Sequence, residues 1–152
     1  MKNENTVETL NKLITINNDR VEGYQTASEN SEEVDLKTMF SQFISTSQKC
    51  KRELEEEVNA IGGNTSDDTK TSGKFFRAWM DVKAALTGKD RKAILDSCEF
   101  GEDKALETYD DVIKDEFQYL GANQKNMIVD QKSLIKKDHD HVKSLRDALA
   151  AS

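Results

Sequence analysis

Near the end of the chain, the string Lys136-Lys137-Asp138-His139-Asp140-His141-Val142 sets a carboxylate and an imidazole three residues apart. On a helix, Asp138 and His141 then project to the same side. At 100° per residue, Met127, Leu134, Asp138, His141, Val142, Leu145 and Leu149 are expected to share one face, which places both groups in an apolar stripe. Glu102, central in the preceding helical segment, is the third ionisable group expected inside. Bare polar groups are costly in such surroundings, so the three need a partner. Two chemistries would supply one. A satisfied polar cluster would use Arg20 as counter-cation, with Asn17 or Tyr24 completing the hydrogen bonds. Alternatively Glu102, Asp138 and His141 would bind a single Zn, Mn or Fe, leaving an open position for water.

Positioning these groups takes long helices, and the hydrophobic spacing supplies four. The first runs from about Asn5 to Glu29, with Val7, Leu10, Leu13, Ile14, Val21, Tyr24 and Ala27 inward. Asn17 is central on that face with Arg20 beside it, while Asp19 and Glu22 project away. The second runs from about Asp35 to Ile61; Ser47 and Cys50 interrupt its apolar stripe, and Gly62-Gly63 ends it. A polar loop over 62–73 leads to a short amphipathic helix, about Lys74 to Leu86, carrying Phe75, Trp79, Val82 and Leu86 on one side. The third long helix spans about Asp90 to Tyr119, and a tight link at Gly121 precedes the fourth, about Asn123 to Ala150. At 1.5 Å per residue, each is roughly 40 Å long. The expected architecture is all-α: one domain over 1–152, a ferritin-like up-down four-helix bundle with a long crossover, containing a short helix, between helices 2 and 3.

A faint internal repeat supports that arrangement. Asn17 precedes Tyr24 by seven residues and Glu102 precedes Tyr109 by seven; Ser47-x-x-Cys50 mirrors Asp138-x-x-His141. In di-iron carboxylate bundles, two helices each give a Glu and the other two a Glu-x-x-His. The second hairpin resembles that pattern, and the stretch from Glu102 to Tyr109 is similar to the helix bearing the bridging glutamate in rubrerythrin-like proteins. The first hairpin departs from it, with Asn17, Ser47 and Cys50 where ligands would stand, so half of a di-iron set is missing. Arg20 would add positive charge where a metal should go.

The chain as a whole resembles an uncharacterised bacterial family of ferritin-like four-helix bundles, a domain of unknown function. The likeness rests on Asp19-Arg20-Val21-Glu22-Gly23-Tyr24, on Ala60-Ile61-Gly62-Gly63, on Phe76-Arg77-Ala78-Trp79 and on Cys98-Glu99-Phe100-Gly101-Glu102-Asp103. It implies the fold and brings no activity with it.

Composition narrows the remaining classes. A net charge of −7 disfavours nucleic acid and anionic lipid as partners. No apolar run reaches membrane-spanning length, the first residues are polar, and two cysteines suit reduced core thiols, so a bacterial or other cytoplasm is expected. His139 and Asp140 are expected to face solvent. An exposed Trp79 region would offer a surface for a homodimer or another protein. With no Gly-rich phosphate loop, no nucleophile elbow and only two histidines, enzyme chemistry other than metal chemistry has no foothold. The expectation is a non-enzymatic bundle retaining a degenerate di-metal site, with a mononuclear metal protein as the alternative and a di-iron oxidase or ferroxidase behind it.

Overall fold

A computed structural model describes residues 2–65, 84 and 90–151. Four long helices make up the described chain: α1 (Lys2–Asn30), α2 (Val34–Ala60), α3 (Arg91–Asp115) and α4 (Ala122–Ala151). A 3-10 turn, Phe117–Tyr119, precedes α4, and no strand occurs among the described residues. With no proline in the chain, nothing interrupts these helices sterically.

Helix ends are set by local chemistry. The Asp90 side chain accepts from the Ala93 backbone N–H at 3.2 Å, capping α3. At the end of α2, the Gly62 N–H bonds to Asn59 O and the Gly63 N–H to Val58 O, with Gly62 at φ +78°. This is a Schellman ending, and its left-handed residue is the glycine. Gly63 then lies so close to α1 that an added Cβ would sit 2.5 Å from a Val7 methyl. The third helix stops short of the expected Tyr119: Glu116 leaves the helix, and its carboxylate takes Thr9 Oγ1 at 3.0 Å and Lys12 Nζ at 2.9 Å from α1.

These contacts fix directions. The end of α3 meets the start of α1, where Thr6 Oγ1 also bonds to Tyr119 O at 2.5 Å. The start of α3 meets the start of α2, because Arg91 is forked between Glu33 (2.9 Å) and Asp35 (2.6 Å). The end of α2 returns to α1, where Asn11 donates to Asn64 O at 2.9 Å. Two antiparallel hairpins, α1–α2 and α3–α4, therefore pack α1 against α3 and α2 against α4, with α2 and α3 running in the same direction. The short helix expected over Lys74–Leu86, with Trp79, lies outside the described residues apart from Ala84.

The core comes in two apolar blocks. One gathers Leu10, Leu13 and Ile14 with Leu54, Val112 and Ile135. The other gathers Tyr24, Phe40 and Phe43 with Leu95, Cys98 and Val142. Between the blocks each helix buries a polar residue, namely Asn17 and Arg20, Ser47, Glu102 and Asp138, and Gln131 is buried within the first block.

Two orientations differ from expectation. On α4 the buried column is Ile128, Gln131, Ile135, Asp138 and Val142; Leu134 is half-buried, while His141 and Leu149 are exposed. Apolar and His/Val neighbours come in adjacent pairs here (Met127/Ile128, Leu134/Ile135, His141/Val142), and the bundle selects the second member of each, one residue or about 100° round the helix. On α1, Leu13 to Arg20 are all buried, so Asp19, expected to project away, is 5% exposed.

Candidate functional site

The polar layer is built around Arg20. Its Nη2 donates to Glu102 Oε1 at 2.7 Å and to Asp138 Oδ2 at 3.1 Å, and its Nη1 donates to the Ser47 hydroxyl. One side chain thus ties α1 to the three other helices. Tyr24, one turn further along α1, donates from its hydroxyl to the same Glu102 oxygen at 2.5 Å. Its ring is braced by Phe40 (centroids 5.6 Å apart, stacked) and by the edge contact of Phe43 at 5.0 Å. Arg20 and Glu102 are each 1% exposed and Asp138 5%.

Electrostatics follow from one cation facing two anions in a dry interior. Burial by itself would lower the Arg20 pKa, but Glu102, Tyr24 and Asp138 reverse that, and the guanidinium is held charged more firmly than usual. Burial pushes the Asp138 carboxyl up to about 6; Arg20 opposes the shift and Glu102 adds to it. Burial and then Glu102 push the Tyr24 phenol up, so it acts as a donor throughout the physiological range. The fit is incomplete: Arg20 Nε and Glu102 Oε2 are buried with no hydrogen-bond partner among the described residues.

A second, neutral layer lies one turn below. Asn17 Nδ2 donates to the Tyr109 hydroxyl at 2.9 Å and to Leu13 O at 2.8 Å. Tyr109 donates on to Gln131 Oε1 at 2.7 Å, and Gln131 Nε2 reaches Cys50 O at 3.2 Å and Glu53 at 3.1 Å. Both cysteines are free and buried. Burial pushes the Cys50 thiol up to about 11 and, with Glu102, raises Cys98 further, so neither offers a thiolate at neutral pH.

Of the three residues read from the sequence as metal ligands, Glu102 and Asp138 meet at Arg20 and His141 does not. It is exposed, its ring set edge-on to Phe43 with centroids 6.1 Å apart. His141 therefore does not share the buried interior with Glu102 and Asp138, because the α4 stripe is rotated as described. Of the first-hairpin counterparts, Ser47 joins the Arg20 layer, and Asn17 and the Cys50 carbonyl join the neutral one. Gln131 was absent from the sequence reading. The signal available was its place seven residues before Asp138, on the same heptad position.

Elsewhere on the α3–α4 hairpin, Glu99, Asp103 and His139 each bring one potential ligand atom within 4.8 Å of the others. His139, expected to face solvent, is half-buried there, with Nε2 2.7 Å from Asp103 Oδ1.

Among curated proteins none matches this chain. A family model does match, over residues 5–115, a span that carries nearly all of α1 and the whole of α2 and α3, with Arg20, Tyr24, Ser47 and Glu102. The chain belongs to that family, described as a domain of unknown function, DUF2383.

Proposed function

We propose that the protein is a non-enzymatic, ferritin-like bundle in which a permanent cation, the Arg20 guanidinium, stands where a di-metal centre would be, and that it works through contacts with other proteins or with its own copies. The observation carrying this is the buried contact of Arg20 with Glu102 and Asp138 together. A guanidinium between the two carboxylates supplies the positive charge that a metal would otherwise bring, and Coulomb repulsion opposes a second cation beside it. The parallel run of α2 and α3 supports the ferritin-like connection, since the chain must travel the length of the bundle between them. Exposure of His141 removes the nitrogen donor from the interior and weighs against a mononuclear Zn, Mn or Fe on Glu102, Asp138 and His141.

Net charge disfavours nucleic acid and anionic membrane surfaces. No helix among the described residues is long and apolar enough to cross a membrane. Free thiols at Cys50 and Cys98 support a reducing compartment such as the cytoplasm.

Elemental analysis tests the interior directly. It is best made on the His139→Ala variant purified without chelator, so that the outer hairpin cluster contributes nothing. Iron, manganese and zinc are expected well below one per chain. Stoichiometric metal that disappears on adding Asp138→Asn would overturn the proposal.

A further inference from the structure

We infer that Glu99, Asp103 and His139 form a site for a borderline divalent cation of the zinc class on the α3–α4 hairpin, separate from the Arg20 layer. Glu99 and Asp103 stand one turn apart on α3, so their carboxylates share a side, and His139 faces them from α4. Their ligand atoms lie within 4.8 Å of one another. Tetrahedral bonds of about 2.0–2.2 Å to nitrogen and oxygen would set the ligand atoms about 3.3–3.6 Å apart, a rotamer adjustment that the half-exposed Asp103 can make.

Three further features distinguish this grouping from a chance set of acids. The imidazole gives a nitrogen donor, which favours zinc, cobalt or nickel over magnesium or calcium. Asp140 Oδ1 lies 3.1 Å from His139 Nδ1, the carboxylate–histidine arrangement that leaves Nε2 directed at the metal. Glu99 Oε2 is buried and makes no hydrogen bond with any described residue, yet the Arg146 guanidinium lies against it as an ion pair. That position already attracts a cation. Arg146 has other partners to turn to when displaced, with Nη2 3.2 Å from Asp147 and Nε 4.0 Å from Asp96. The metal would insert between His139 Nε2 and the Asp103 carboxylate, now 2.7 Å apart, and part them to its own bond lengths.

Calorimetric titration of the chelator-treated full chain with zinc chloride tests the site, with circular dichroism confirming that each variant is folded. One zinc per chain is expected. Asp103→Asn and His139→Ala should each weaken binding at least about tenfold, and Asp140→Asn about tenfold. Arg146→Gln should tighten it by removing the competing cation. His141→Ala, on the same helix, and Glu107→Gln, on the same acidic surface, should leave it unchanged. Absence of zinc binding, an affinity indifferent to both Asp103→Asn and His139→Ala, or one lost in His141→Ala would overturn the inference.

Discussion

Asp138 is the residue whose charge the fold controls most delicately. Its carboxyl titrates at about 6 in the folded chain against an ordinary 3.8, so the folded state holds the proton more tightly than the unfolded one. Its contribution to stability is therefore complete below about pH 4 and is lost as pH rises through 6. Comparing urea unfolding of the protein and of Asp138→Asn across pH 4 to 8 isolates this: the stability of the native chain relative to the variant should fall with rising pH. A rise would mean that Arg20 outweighs burial at this carboxyl. In the neutral layer, Tyr109 both accepts from Asn17 and donates to Gln131. Tyr109→Phe keeps the ring and strands both partners, at a cost of about 1–3 kcal/mol in chemical denaturation. Tyr24 and Arg20 were legible as partners of the interior carboxylates because their spacing put them on the inward face of α1. His141 was not, since Val142 beside it competes for the same side of α4 and only packing against the other helices decides between them.

At the scale of elements, the sharpest constraint is the end of α2. Gly62 has positive φ, so Gly62→Ala should cost about 1–2 kcal/mol from backbone strain, with no atom of the described residues within 4 Å of the new methyl. Gly63→Ala acts differently: the new Cβ would meet Val7 methyls at 2.5 and 3.0 Å and a Val58 methyl at 3.1 Å. Overpacking of about 1–3 kcal/mol follows, and Val7→Ala introduced with it should recover part of the loss. Additive losses in that double variant would show that Val7 is not the obstacle. The glycine pair was readable as a helix stop, whereas its contact with α1 was not, because it depends on how closely the end of α2 approaches the start of α1. Helix existence was equally readable from the spacing of apolar residues. The register of α4 was lost for a definite reason: hydrophobic residues in adjacent pairs fit two stripes equally well, and the seam includes Gln131 and Asp138, which hydrophobicity cannot flag.

For the whole molecule, the unusual feature is a bundle whose apolar core is split by charge. Two hydrophobic blocks would suffice to hold four helices, and a buried ion cluster is seldom the most stable way to fill the space between them. The combined change Arg20→Met, Glu102→Gln and Asp138→Asn removes every charge of the layer at nearly constant shape. It should therefore be much less destabilising than Arg20→Met alone. The cluster does connect all four helices, because Arg20, Ser47, Glu102 and Asp138 come one from each. A misregistered bundle would bury a carboxylate without its cation, so the layer also fixes which helix positions meet. The most direct test is the unfolding free energy of Arg20→Met in urea at pH 7.5. If Arg20 is the resident cation of the interior, Glu102 and Asp138 are left uncompensated and stability falls by about 3 kcal/mol with an unchanged denaturant slope. A variant that unfolds at the same urea concentration as the native protein would contradict the account.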